Sequence, residues 1–481
     1  YTMESIFEQD SHMLSFMEGF ETGELEYILG VDIPTRVYKA RFVKDEDDNF
    51  VLTFSIPEGD DFSAEYFFSK PAVLSIPNKI QIILMNTEAI RFSQSINDEG
   101  PQEIKVTYRA FSTEVDSSRW KNSKHCAYIK YSKQDFHYTD MSIHYDFTTN
   151  KNQQSSWRNA FVLQMADGRN VMVSFEESEP GDNAYCVIRA QKKMDVALFE
   201  SAIEAVRVIY GLLAGYSFAD RGYIISDYAD EKPKGRIPLI FRYFNRENAK
   251  KHKYPLLDKR HYVDDNHKSL EITGEQLNRL VKKLVGNEEY LRAAKLLVEA
   301  SAIDGSSRGV LAVVALETIA NQLIKKEPAK KIIEDKETAS QLNYELKKAL
   351  KKVKEKIEKD AFEKLESKVN AINNLPNAVK LESVFKQVGI ELDEEELYCV
   401  DCRNRFLHGA LPKNDKFKML SEDELLFMVS QRLIMLTGCI LLKGAGFSGH
   451  VNDWGFTEVM KKRQIRESRL VAHLGNAHRE I

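Results

Sequence analysis

Residues 393–412 read Asp-Glu-Glu-Glu-Leu-Tyr-Cys-Val-Asp-Cys-Arg-Asn-Arg-Phe-Leu-His-Gly-Ala-Leu-Pro. The apolar residues recur at helical spacing and Gly409 closes the pattern, which predicts one amphipathic helix over 393–408. Arg403, Asn404 and His408 stand near its end. Asn404 and His408 are four apart and share a face. Arg403 and His408 are five apart, about 140° round an ideal helix.

This cluster carries chemistry. Histidine as a residue type titrates near neutrality and can move a proton. Arginine grips phosphate oxygens through a planar fork. An asparagine between them can hold the histidine or a phosphate by hydrogen bonds. Such a set suits cleavage of RNA without a metal. The helix angle adds a condition: one chain aims both residues at one phosphate only if the helix ends or bends there. Two chains meeting across this helix would place both pairs in one cleft. Arg and His at this spacing also occur as Arg119/His125, Arg246/His252, Arg260/His267 and Arg466/His473. Only Arg403 is followed directly by Asn, and only this pair lies at a helix end closed by Gly.

Outward from this stretch the second half of the chain predicts helices over about 275–285, 288–302, 307–326, 334–373, 377–388 and 422–443. The fourth carries Leu342, Leu346, Leu350, Val353, Ile357, Phe362, Leu365, Val369 and Ile372 amid many Lys and Glu. That stripe is close to a coiled-coil seam, with one step of five at Phe362. It marks either a projecting or pairing helix, or one or two amphipathic helices on the bundle surface. The apolar run Leu425–Leu442 is interrupted by Gln431 and Arg432, so it reads as a buried helix and no membrane span is expected.

The first half alternates in the manner of strands at Val37–Lys44, Phe50–Ile56, Lys79–Asn86, Glu103–Phe111, His125–Tyr131, Met141–Phe147 and Tyr185–Ala190. Asp167-Gly168 between Phe161–Met165 and Val171–Phe175 predicts a hairpin. A helix follows over 195–215, then a strand over Ile237–Phe244. The expected fold class is α+β. A sandwich- or barrel-like β domain occupies 1–244, a polar linker 245–270 and a helical domain 271–481.

The composition fits a soluble globular chain: 481 residues, 43% hydrophobic and 29% charged. Its net charge of −5 is uneven. Residues 1–230 carry 36 acids against 22 bases, and the remainder 37 against 46. An acidic first half is a poor nucleic-acid binder, while a basic second half can gather phosphates. Five scattered cysteines make no disulfide framework and fit a reducing, cytoplasmic setting. Glu4, Glu8, Asp10 and Glu18 leave no signal-peptide pattern at the start.

Two further motifs read as structural. Cys399-Val400-Asp401-Cys402 lacks the second ligand pair that a zinc site needs. Gly444-Ala445-Gly446-Phe447-Ser448-Gly449 follows a helix rather than a strand, so its glycines end that helix rather than cradle a dinucleotide.

Arg-Asn-x-x-x-His-Gly at a helix end, in a helical domain of this size, resembles the HEPN superfamily. Ala315-Leu316-Glu317-Thr318-Ile319 and Leu381-Glu382-Ser383-Val384-Phe385 resemble its ApeA-type form, and the acidic β-rich first domain resembles the ApeA N-terminal domain. The resemblance implies a metal-independent, cofactor-free anti-phage ribonuclease that halts growth of the infected cell. Arg403, Asn404 and His408 fill its catalytic positions. The partners then expected are an RNA substrate, a second copy of the chain and a phage-derived trigger for the β domain. Lys413, Lys416 and Lys418 are expected to line the entrance for RNA. The rival readings are a non-catalytic HEPN-like dimerisation scaffold and a ligand-binding β domain with a helical oligomerisation tail.

Overall fold

The computed structural model describes residues 26–30, 37–46, 49–57, 72–75, 81–84, 89–95, 102–112, 123–132, 145–149, 153–157, 160–165, 167–177, 183–214, 221–227, 239–245, 254–257, 272–324, 332–374, 377–413, 417–456 and 478–480. They form two compact units. One comprises Tyr1–Pro255 and Lys259–Gly286, the other Leu256–Asp258 and Asn287–Ile481.

The first unit is built on strands β1 (Glu26–Gly30), β2 (Val37–Lys44), β3 (Phe50–Ile56), β4 (Ala72–Ser75), β5 (Gln81–Leu84), β6 (Ala89–Ser95), β7 (Gln102–Tyr108), β8 (Ala110–Ser112) and β9 (Lys124–Ser132). It continues through β10 (Tyr145–Thr149), β11 (Gln153–Trp157), β12 (Ala160–Gln164), β13 (Asn170–Glu177), β14 (Asn183–Ala190), helix α1 (Val196–Ala214), β15 (Arg221–Asp227), β16 (Leu239–Asn245) and helix α2 (Gly274–Val285). Fourteen strands share one sheet in the order β12-β13-β14-β9-β15-β16-β8-β5-β4-β1-β2-β3-β7-β6, and β10 pairs with β11 separately.

Alternation sets which face is buried. In β2, Tyr38, Ala40 and Phe42 are buried while Val37, Lys39 and Arg41 are exposed. The sheet turns back on itself at Arg109. There the chain passes from β7, next to one edge, to β8 in the middle of the sheet. Phe42, Phe50, Leu52 and Val106 from one end therefore share a core with Tyr128, Tyr185, Val187 and Tyr223 from the other. Phe111 stands edge-on to both Phe42 and Phe50, at 5.5 and 5.0 Å. The mixed α+β class is as expected, and this shared core gives the β unit a sandwich-like interior. The Asp167-Gly168 hairpin is present, with Gly168 at φ 79° and Gln164 opposite Asn170. Helix α1 buries Phe199, Ala202, Val206 and Ile209. Phe199 lies 5.2 Å from the ring of His125, and Tyr210 6.3 Å from Phe161.

The second unit holds α3 (Glu288–Ala302), α4 (Ser306–Ile324), α5 (Lys336–Lys352), α6 (Lys359–Asn370), α7 (Asn377–Gln387), α8 (Glu394–Asp401), α9 (Arg403–Leu407) and α10 (Glu422–Gly444), followed by β17 (His450–Asn452) and β18 (His478–Glu480). Its centre is α10, buried almost continuously from Leu425 to Leu442. By length and composition this helix is long and apolar enough to cross a membrane, but it is packed inside the protein. Its one charge in the buried run, Arg432, is paired twice, with Asp453 at 2.9 Å and Glu395 at 2.7 Å. A buried charge of this kind is tolerated only when paired. Gly446 at φ 82° ends α10, with Phe447 N–H reaching the Leu442 carbonyl.

The structure bears on three expectations. Of the readings left open for 334–373, the structure has two helices: Val353, a 3-10 turn over Lys354–Lys356 and an extended Ile357 fold the chain back. The helix read over 393–408 is interrupted at Cys402 and ends at Leu407. Within the stretch read as polar linker, Leu256 and Leu257 are buried in the second unit. Asn452 N–H donates to the Leu256 carbonyl, and Asn452 Nδ2 to that of Leu257, each at 2.8 Å. Gly438 makes room for this strap, because a Cβ there would lie 2.5 Å from the Leu256 side chain.

Candidate functional site

Helix α8 starts at Asp393, whose carboxylate accepts from the backbone of Glu395 and Glu396, while Glu396 reaches back to the Asp393 N–H. This reciprocal cap fixes the start of the helix. Its Cys399 and Val400 are buried. Cys402 then serves as C-cap of α8 and N-cap of α9, and α9 runs only from Arg403 to Leu407.

The end of α9 is a Schellman motif. Ala410 N–H donates to the Arg405 carbonyl at 2.8 Å and Gly409 N–H to that of Phe406 at 3.0 Å. Gly409 takes φ 69°, which a residue lacking Cβ adopts without strain. His408 is the C-cap, at φ −99° and ψ 13°. The 140° separation between Arg403 and His408 assumed an ideal helix through both. His408 N–H still donates to the Asn404 carbonyl at 3.2 Å, so as C-cap His408 stays in helical register with the residues before it.

Helix α4 fixes α9 from beneath. Phe406 is 2% exposed and lies over Gly309, where a Cβ would meet its ring at 2.3 Å. About two turns further along α4, the Glu317 carboxylate accepts from Arg403 Nε. The Arg403 side chain is only 11% exposed. Its Nη1 donates to Asn404 Oδ1 at 2.8 Å. The guanidinium is thus held by a carboxylate on one side and by its neighbour on the other. A guanidinium has five N–H donors, so these two bonds leave donors for an anion. Asn404 and His408 are exposed. Among the described residues nothing bonds to the His408 ring.

The chain after His408 is tied back to the same elements. Arg405 Nε donates to the Leu411 carbonyl, and the Tyr398 hydroxyl to that of Lys413. The Tyr398 ring meets Phe417 at 5.2 Å. Lys413 and Lys418 are exposed, Lys413 on the anchored loop and Lys418 in the turn before α10. Lys416 lies outside the described residues.

The other Arg/His pairs do not form a comparable site among the described residues. His125 is buried, with Nδ1 at 2.6 Å from Ser226 Oγ and Nε2 at 2.9 Å from the Met194 carbonyl. Arg119, Arg246, His252, Arg260, His267, Arg466 and His473 lie outside the described residues. Cys399 and Cys402 are buried, and burial pushes the Cys402 thiol up to about 11. They pack as small hydrophobes. Among the described residues no cluster of His, Cys, Asp or Glu is arranged to hold a metal ion.

Sequence reading missed Glu317. It lies in the Ala315–Ile319 segment quoted for its resemblance, but a lone glutamate on an apolar helix gives no role by itself. Its partner, 86 residues later, appears only in the fold.

Residues 310–449 match the family described as Apea-like HEPN, so the second unit carries an ApeA-type HEPN domain. The matched stretch includes Glu317, Arg403, Asn404 and His408. The match suggests nuclease or defence-type function for this domain. No curated protein and no solved structure matches the chain.

Proposed function

We propose that the second unit is a metal-independent endoribonuclease acting in cytoplasmic anti-phage defence, and that the β unit senses a phage-derived trigger. The observation that carries this reading is the Arg403–Glu317 contact beside Asn404 and His408. It holds a cationic fork on the short helix whose C-cap is a solvent-facing histidine. Preorganised cations of this kind stabilise charge as it develops on a phosphate.

The reaction follows from these groups. The ribose 2′-oxygen attacks the adjacent phosphorus, the O2′–P bond forms and the P–O5′ bond breaks. A 2′,3′-cyclic phosphate and a 5′-hydroxyl result. His408 takes the 2′-hydroxyl proton or gives one to the leaving O5′, a step that requires only a group able to exchange protons. Arg403 binds the non-bridging oxygens as charge builds, and Asn404 holds the guanidinium plane. Lys413 and Lys418 draw the RNA backbone towards the helix end.

The test uses the purified full-length chain, single-stranded RNA and excess chelator. Cleavage with 2′,3′-cyclic phosphate ends is expected. Cleavage only when a divalent ion is restored, or ends bearing a 3′-hydroxyl, would overturn the mechanism.

A further inference from the structure

Helices α5 and α6 bury no residue, unlike α3, α4 and α10. They fold as an antiparallel hairpin stitched at its base. Asn343 Nδ2 donates to the Val369 carbonyl at 3.0 Å, and Ile332 N–H to that of Asn373 at 3.2 Å. Asn373 also exchanges two hydrogen bonds with the Ile333 backbone. The far end is the turn over residues 353–358. At 1.5 Å per residue, the 17 residues of α5 extend roughly 26 Å from that base.

Charge along the hairpin is polarised. Residues 347–359 hold seven lysines and two glutamates, a balance of +5. The rest of 332–373 holds three lysines and seven acids, a balance of −4. No lysine of the tip is ion-paired with a described residue. Solvation of the carbonyl end of α5 explains Lys351 and Lys352, because cations are favoured there. Lys354 lies over the Phe362 ring at 5.5 Å, which leaves Lys356 and Lys359 unexplained. Lys359 is the first residue of α6, where the helix field opposes a cation.

An aromatic ring joins these charges. Tyr344 is 61% exposed. It shares one face of α5 with Lys347, Lys348 and Lys351, at steps of three and four. Lysines that follow a backbone beside an open aromatic face form the arrangement that binds single-stranded nucleic acid, phosphates to the cations and a base on the ring. An acidic protein surface satisfies the lysines but leaves the ring without a planar partner.

We infer that the α5–α6 hairpin is a second RNA-binding element, which grips single-stranded RNA through Tyr344 and the lysines of 347–359. This rests on reading the unit as one that acts on RNA. It adds a substrate site separate from Arg403, Asn404 and His408, and it makes single-stranded, unstacked RNA the preferred substrate class.

The experiment measures binding of a fluorescent single-stranded RNA of about 20 nucleotides to the full-length chain by anisotropy, across a salt series without divalent ions. It compares wild type, Tyr344→Ala and a fourfold Lys348→Gln, Lys351→Gln, Lys352→Gln, Lys356→Gln variant. These side chains are exposed, so melting temperatures should match. The fourfold variant should bind at least about tenfold more weakly and lose about 3 from the log–log salt slope, near 0.7 per phosphate contact. Tyr344→Ala should bind roughly five- to a hundredfold more weakly. In cleavage assays KM for long RNA should rise, while turnover of a dinucleotide stays unchanged. Variants that bind RNA like wild type, or that lose only binding to anionic vesicles or acidic protein, would overturn the inference. If wild type cuts RNA and the variants bind normally, the hairpin assignment fails alone. If the variants lose RNA binding but wild type never cuts, the nuclease reading fails alone and the hairpin assignment stands. Wild type that binds no RNA overturns the inference too.

Discussion

Arg403 Nε donates to the Glu317 carboxylate, joining the second helix of the HEPN unit to the short helix that ends at His408. Nε is thereby committed to Glu317 and Nη1 to Asn404, which leaves the remaining donors for an anion. The contact is partly buried, with Arg403 at 11% and Glu317 at 29% exposure. Solvent screens it less than a surface pair. Glu317→Ala frees the guanidinium to rotate, and a positioning error of this kind costs on the order of 10²-fold in rate. Glu317→Gln keeps an acceptor in the same place and should lose far less. Steady-state cleavage rates with both variants test this, and a Glu317→Ala chain with wild-type turnover would remove Glu317 from the site.

His408 and His125 should separate chemistry from folding. The His408 ring is exposed and bonded to no described residue. His408→Ala should lower cleavage by roughly 10²–10⁴-fold with chelator present and leave the melting temperature unchanged. His125 is buried and bonded at both ring nitrogens. His125→Ala strands Ser226 and the Met194 carbonyl, so about 1–3 kcal/mol of stability should go. Cleavage per folded molecule should not change. Paired melts and rate measurements decide, and a stable His125→Ala chain without activity would show the wrong histidine was chosen.

Gly309 is a packing requirement of the site. A Cβ there would sit 2.3 Å from the Phe406 ring, so Gly309→Ala must push the ring and α9 away from α4. Overpacking of this kind costs about 1–3 kcal/mol. Arg403 sits on the same short helix, so cleavage and stability should fall together. Unchanged melting and activity in Gly309→Ala would mean that α9 adjusts freely and that Phe406 does not set its position.

The second unit also rests on Arg432. Its side chain is 3% exposed, between Glu395 at the start of α8 and Asp453 beyond α10. Asp453→Ala leaves that buried cation with one partner fewer, a change that costs roughly 3–5 kcal/mol. Arg432→Met removes the charge but leaves Asp453 buried and unpaired, so it should also destabilise. The double change Arg432→Met with Asp453→Leu should recover much of the loss. Denaturant melts of the three variants test this coupling, and additive losses would contradict it.

Much of the fold was legible because local pattern and tertiary role agree. Alternation in β2, β3 and β13 marks strands, and Asp167-Gly168 marks their turn. The missed strands lack that agreement. β4 has four residues, too few to show a period. β6 is a largely exposed edge strand, so nothing selects apolar residues. β15 contains Gly222, where a Cβ would meet the Tyr128 carbonyl at 2.5 Å. A glycine that permits close backbone approach weakens the strand signal it serves. The break in the 334–373 stripe carries no Gly or Pro. Its sequence trace is the five-residue step before Phe362, and Phe362 lies in α6 just past the turn. The Arg403-Asn404-His408 cluster was legible from spacing and the closing Gly409. Glu317 was not, because a salt bridge across 86 residues leaves no local pattern.

The pairing of chains is the prediction on which the helix geometry bears most. An unbroken helix would have forced Arg403 and His408 about 140° apart and required two chains for one phosphate. His408 caps α9 with its N–H on the Asn404 carbonyl, and two arrangements are to be separated for a dimer built around residues 393–409. In one, each chain's Arg403 and His408 act together; in the other, Arg403 of one chain works with His408 of its partner. A two-fold interface is self-complementary, so either arrangement presents Lys413 and Lys418 twice along one cleft. Mixing Arg403→Ala chains with His408→Ala chains, each inactive alone, separates them. With intact pairs in each chain, mixing recovers nothing, since every chain lacks one member. With shared pairs, the mixed dimer joins the Arg403 of one chain to the His408 of the other, and up to about half of the dimers regain one working site. The expected solution mass is that of a dimer, and cleavage should weaken as salt rises. A chain that is monomeric at micromolar concentration and still cuts RNA would exclude both arrangements.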